Sequence, residues 1–120
     1  MKSWTVHDGT IAIIELRGSL VGDGDTDKLR DLVADFIEQG NKCLIFSLSK
    51  LNYLNSSGIG ALIASHATYA RSGGKVCLAG IQNNVQNLLV ITKLIDIFDV
   101  HDTLEDAIES FAVRKTPSQP

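Results

Sequence analysis

Leu51-Asn52-Tyr53-Leu54-Asn55-Ser56-Ser57-Gly58-Ile59-Gly60-Ala61-Leu62-Ile63 is the stretch on which the reading of this chain turns. Before it lies an apolar run, Cys43-Leu44-Ile45-Phe46-Ser47-Leu48, bounded by Gly40-Asn41-Lys42 and Ser49-Lys50. That is the composition of a buried strand. After it, Ile59, Leu62, Ile63, His66, Ala67 and Ala70 recur at helical spacing up to Gly73-Gly74. The segment between is a strand-to-helix turn, with Asn55, Ser56 and Ser57 where an N-cap belongs. Such a side chain accepts a hydrogen bond from a free N–H of the first turn. Gly58 and Gly60 leave that turn without side chains and its backbone open to close approach. A glycine in a helix costs up to ~1 kcal/mol relative to alanine, so two of them beside two hydroxyls point to a site as well as a cap.

The 120 residues, 44% of them hydrophobic, fit one domain around a single core. The net charge of −3 and the lack of a basic run argue against a nucleic-acid partner. No apolar stretch is long enough to span a bilayer; the longest candidate, Leu88 to Ile95, is interrupted by Thr92 and Lys93. The N-terminus lacks the apolar core of a signal peptide, so the expected location is the cytoplasm. Cys43 and Cys77 fall in separate strand-like runs without C-x-x-C spacing, which fits core packing better than a zinc or redox motif.

Working outward, Trp4–His7 and Ile11–Arg17 flank Asp8-Gly9-Thr10, a hairpin signal. Gly18 to Asp25 reads as a loop. Leu29, Leu32, Val33, Phe36 and Ile37 form a helical face, with Asp25 or Thr26 as its cap and Gly40 in the left-handed position past its end. Lys75–Ala79 reads as a strand, and Asn83 or Asn84 as the cap of a helix holding Val85, Leu88 and Leu89. Ile97–Val100 is a short strand. Thr103-Leu104-Glu105-Asp106 resembles a capping box that opens a last helix packed by Leu104, Ala107, Ile108 and Phe111. After the hairpin, helices and strands alternate, which predicts right-handed crossovers and a largely parallel sheet. The expected architecture is α/β: an N-terminal antiparallel hairpin, then a mostly parallel sheet of about five strands with about four helices. Sites in such sheets gather at the carboxyl ends of strands.

At the central turn, Asn55-Ser56-Ser57-Gly58-Ile59-Gly60 resembles the Asp-Ser-Ser/Thr-Gly-Leu-Gly signature of STAS domains, above all the bacterial anti-sigma factor antagonists. Gly18-Ser19-Leu20, Gly73-Gly74-Lys75-Val76, and Val85, Leu88 and Leu89 followed by Thr92-Lys93-Leu94 and Phe98 fall in the family's order. The likeness runs from about Val6 to Phe111. It implies a STAS domain over 1–112 and a polar tail over 113–120, expected to be disordered. It further implies that Ser56, or Ser57 beside it, is phosphorylated by a partner that is both serine kinase and anti-sigma factor. The unphosphorylated domain would bind that kinase, the phosphorylated form would let go, and a phosphatase would reset it. The implied contact surface comprises Leu20, Asp23, Asp25, Asn55, Ser56, Ser57, Gly58, Ile59 and Gly60, with the exposed face of the helix after Gly58. No cofactor, metal or catalytic residue is implied, and the free protein is expected to be a monomer or weak dimer. Three positions depart from the pattern: Asn55 replaces the signature Asp, Val21 stands where many relatives have Asp, and Lys93 where the family has Gly.

Other chemistries find less support in the residues. Ser56 and Ser57 as plain caps are the simplest alternative. A constitutive STAS scaffold or adaptor, in a signalling assembly or beside a transporter, is the main rival to the switch. Catalysis by Ser56, as in a small hydrolase or transferase, lacks Gly-x-Ser-x-Gly and an identifiable base. A nucleotide-binding module is a minor variant. Gly22-Asp23-Gly24-Asp25 lacks a full calcium ligand set, and His7, His66 and His101 lack ligand spacing. Asn55-Ser56-Ser57 fits a glycosylation sequon, which a cytoplasmic chain would not use.

Overall fold

A computed structural model describes residues 1–22 and 24–115, the last three of these by backbone alone. Asp23 lies outside the described residues, as do 116–120 of the expected tail. The order is β1 (Lys2–Val6), β2 (Ile11–Leu20), α1 (Gly24–Glu38), β3 (Cys43–Leu54), α2 (Ser56–Arg71), β4 (Lys75–Ala79), α3 (Asn83–Ile91), a 3₁₀ turn (Leu94–Asp96), β5 (Asp99–His101) and α4 (Leu104–Lys115). The first three residues of the expected tail are therefore helical.

The five strands lie in sequence order, β1-β2-β3-β4-β5, with β1 antiparallel to β2 and every other pair parallel. An order that never reverses sends each right-handed crossover over the same side of the sheet. Accordingly α1, α2 and α3 share one core with Ile14, Leu16, Phe46, Leu48 and Leu78. The other face packs Ile11, Ile13, Ile45, Cys77 and Ala79 under Ala107 and Phe111 of α4. Cys43 stands opposite Lys75 and Cys77 opposite Ile45, a diagonal placement, and neither is in a disulfide.

Two elements run farther than their patterns predict. β2 continues to Leu20 and β3 to Leu54, past the end of β4, by way of two register shifts. Glu15 pairs with Ser47 and Arg17 with Lys50; Gly18 pairs with Leu51 and Ser19 with Tyr53. Each shift places one extra residue in β3, the signature of a β-bulge. Each bulge turns a spacing of two into one of three, so Leu48, Leu51 and Leu54 all enter the same core. Backbone groups freed along the unpaired edge find partners on α3. Gln82 donates to the Ser49 carbonyl at 2.6 Å, and Asn84 donates to that of Asn52. Gln82, not Asn83 or Asn84, occupies the α3 N-cap position and makes no side-chain cap bond; Asn84 is drawn away to β3 instead.

Of the other termini, some follow the local residues and two shift. After α1, the Gly40 N–H reaches the Ile37 carbonyl and the Asn41 N–H that of Phe36, both at 2.9 Å, with Gly40 at φ 84°. This is the Schellman arrangement. Asp25 and Thr26 lie inside α1 rather than capping it, because the helix begins one residue before them, at Gly24. Thr103 Oγ1 accepts the Asp106 N–H at 3.0 Å, so the last helix starts as its sequence predicts. The last strand begins at Asp99, two residues later than its pattern indicates, because the 3₁₀ turn precedes it and Phe98 is drawn inward. Lys93 adopts φ 64°, ψ 15° just past α3, a left-handed conformation. Glycine adopts this conformation without the steric cost that a Cβ brings.

At the amino end of the sheet, Asn41 is buried and ties three elements together. Its amide donates to the Thr10 carbonyl at 3.1 Å, and its Oδ1 accepts from Cys43 N–H at 3.2 Å and from the Tyr69 hydroxyl at 2.8 Å. Burial, and secondarily the neighbouring Cys43, raise the Tyr69 phenol above its ordinary pKa. It stays a neutral donor wherever free tyrosine would begin to ionise.

Three outcomes are expected. Lys93→Gly relieves roughly 1–2 kcal/mol of left-handed strain and restores about 0.4–1 kcal/mol of unfolded-chain entropy, so stability to urea rises slightly or holds. Because the folded pKa of Tyr69 is raised, its contribution is complete below about pH 10 and is lost as pH climbs beyond; Tyr69→Phe flattens this alkaline decline in thermal melts. Gly58→Ala would bring a Cβ to 2.2 Å from the Leu20 carbonyl oxygen. The backbone must move, and chemical denaturation should register a loss of about 3 kcal/mol or more.

Candidate functional site

The turn from β3 into α2 is a single residue long. Asn55, in extended conformation (φ −104°, ψ −170°), is the N-cap. Its Oδ1 accepts the Gly58 N–H at 3.0 Å. Its Nδ2 donates to the Val21 carbonyl at 2.9 Å, and its backbone N–H reaches the Leu20 carbonyl at 3.3 Å. One amide thus caps the helix and fastens the segment that leaves β2. A carboxylate could make the first bond but has no hydrogen for the Val21 carbonyl. Compared with the Asp of the signature it resembles, Asn55 lacks a charge and adds a clasp.

Gly58 is buried, and the atoms closest to its missing side chain are Leu20 O, Leu20 C and Leu54 Cβ. The close approach that this glycine permits is made by the chain's own β2, not by a visiting molecule. Leu20 is likewise only 1% exposed. Both residues were expected on the contact surface; their burial makes them its support, since apolar contact and backbone packing hold them inward. Gly60 is exposed with open space around it.

Ser56 and Ser57 open α2 and both are exposed. They differ in surroundings. A Cβ on Gly22 would stand 3.1 Å from Ser57 Cβ and 3.3 Å from its Oγ, so Ser57 faces the segment after β2. Asn55 and Ile59 are half-buried beside them. Asp25 is half-buried in the first turn of α1. Asp23, also expected here, is outside the described residues.

The buried stripe of α2 is Gly58, Ala61, Leu62, Ser65 and Tyr69. Of the residues at helical spacing in the sequence, Ile63 and Ala70 are exposed. Small residues at 58, 61 and 65 let the helix sink onto the sheet and α1, which rotates Ile63 outward. Ser65 keeps its hydroxyl satisfied on the Ala61 carbonyl at 2.8 Å. Outward-facing α2 therefore presents Ser56, Gly60, Ile63 and Ala64, and the helix has no formally charged residue before Arg71. Val21, whose carbonyl takes the Asn55 amide, and Tyr53, two residues before the cap, are 41% and 56% exposed. Tyr53 was not anticipated, because the strand extension that displays it depends on bulges.

What this arrangement offers is a recognisable surface. An uncharged helix start favours an anion through the helix dipole, and apolar side chains around it favour a protein partner. Among the described residues no helix is long and apolar enough to cross a membrane.

Comparison with known proteins places the chain. Its sequence is 25% identical over 109 residues to the anti-sigma F factor antagonist of Paenibacillus polymyxa, covering 89% of this chain and 92% of that one. The structure superposes on the phosphorylated form of the Bacillus cell fate determinant SpoIIAA with a TM-score of 0.74 at 20% identity, covering 92% and 97% of the two chains. A sulfate transporter family protein from Wolinella succinogenes gives a TM-score of 0.79 at 21% identity, covering 92% and 90%. The profile of the STAS domain matches residues 3–107, and the chain belongs to the STAS domain family.

Proposed function

We propose that this chain is an anti-sigma factor antagonist without enzymatic activity of its own, acting in the cytoplasm as a protein-binding switch. Unphosphorylated, it binds an anti-sigma serine kinase through the start of α2; phosphorylation at Ser56 releases it, and a phosphatase resets it. The observation that carries this reading is the exposed Ser56 directly after the Asn55 cap, on a helix start rigidly seated against β2. The antagonist from Paenibacillus, alike over nearly the full length, supports it.

Charge and desolvation supply the switch. A phosphate adds about −1.5 to −2 charges at neutral pH. On the free domain it would sit at a helix N-terminus, favoured by roughly 0.3–2 kcal/mol. Pressed into an interface without a cation opposite, it would meet a desolvation penalty of several kcal/mol. The second effect is larger, so the complex gives way and the fold stands. Ser56 is the better acceptor of the two hydroxyls because Ser57 faces Gly22.

One observation favours the adaptor reading, in which the domain binds a partner without being modified: Asn55 spends its amide on Val21 where the family has a carboxylate. Kinase assay and binding decide between them. Incubation with the cognate kinase and ATP, followed by mass mapping, should modify Ser56. Ser56→Asp should weaken the kinase complex about a hundredfold or more in calorimetric titration with an almost unchanged melting temperature. A stable complex with Ser56 unmodified would establish the adaptor instead, and undiminished binding by the variant would remove α2's start from the interface.

A further inference from the structure

The β4–β5 pair assembles a second group of chemistry-bearing side chains, on the α4 face of the sheet and apart from the Ser56 turn. Cys77 pairs with Asp99, and Ala79 with His101. Alternation along each strand then puts Cys77, Asp99 and His101 on one face. A thiol sulfur, a carboxylate oxygen and an imidazole nitrogen lie within 4.8 Å of one another. Spacing along the chain gave no hint of this, because the three meet only through parallel pairing.

We propose that these residues form a binding site for a zinc-class divalent cation, which would staple the short edge strand β5 to β4. The donor set suits it: thiolate and imidazole select zinc over magnesium or calcium, and three protein ligands leave a fourth position for water. In a tetrahedral zinc site neighbouring donor atoms stand roughly 3.4–3.6 Å apart. The observed cluster thus needs a contraction of about 1 Å, which side-chain rotation supplies. A second observation points the same way. His101 Nε2 is buried and has no hydrogen-bond partner among the described residues, an uncommon condition for a ring nitrogen. On binding, the Cys77 thiol gives its proton to solvent and an S–metal bond takes its place. Thiolate and carboxylate then neutralise the dication, which makes a charged sulfur tolerable at a position that is fully buried. Lys75, 2.6 Å from the Asp99 carboxylate, is the competing cation. Its side chain is 41% exposed and that of Asp99 39%, so the lysine can turn outward to water.

Cobalt titration of the reduced, metal-free protein tests the site. Expected is one equivalent of Co²⁺ bound with a thiolate-to-cobalt charge-transfer band, displaced by an equivalent of Zn²⁺. Cys43→Ser should leave the band intact and Cys77→Ser should abolish it. His101→Gln, on the half-buried edge strand, tests the site without disturbing the core, and should weaken Co²⁺ binding about tenfold or more. No band at stoichiometric cobalt, a band surviving in folded Cys77→Ser, a band lost with Cys43→Ser, or full affinity in His101→Gln would each overturn the proposal.

Discussion

Backbone meets backbone where α2 starts: the Leu20 carbonyl lies so near Gly58 that not one carbon fits between them. Much of the site follows from that contact. It sets the helix axis against β2, and it brings the Asn55 amide within reach of Val21 and Leu20. With Asn55 fixed, Ser56 has one place to be, and that place is the surface. A longer or looser turn would leave the hydroxyl position to chance, and recognition by another protein depends on small displacements.

The contact in turn requires that β2 and β3 outrun the rest of the sheet. β4 ends opposite Ser47, while β3 goes on to Leu54. Strands that project beyond their neighbours expose polar backbone, and exposed edges invite unwanted pairing. Here the bulges twist the extension, and Gln82 and Asn84 occupy two of its carbonyls. The same device that displays the site also guards its flank.

Much of this was legible in the residues. Alternating helices and strands, the Asp8-Gly9-Thr10 hairpin, Gly40 after α1 and Thr103 before α4 each act locally, so local pattern finds them. Leu48, Leu51 and Leu54 were opaque because threefold spacing matches neither a flat strand nor a helix; the bulges that reconcile it are set by pairing with β2. The helical spacing of Ile59, Leu62, Ile63, His66, Ala67 and Ala70 identifies α2 but not its buried stripe, which small residues at 58, 61 and 65 set instead. Asn41 passed for a loop residue, since its partners Thr10 and Tyr69 lie about thirty positions away on either side. Asn55 was placed correctly as a cap, but its second bond, to Val21, belongs to tertiary structure. Long-range pairing hid Cys77, Asp99 and His101 in the same way.

The outward side of α2 has a consequence for how encounters proceed. With no formal charge between Ser56 and Ala70, this surface projects little field into solution. A partner docking on that face would meet shape and apolar contact on α2 itself, and charge only from its border, where Arg30 of α1 lines the adjoining groove. On such a face, discrimination between one partner and another would rest on contour more than on charge.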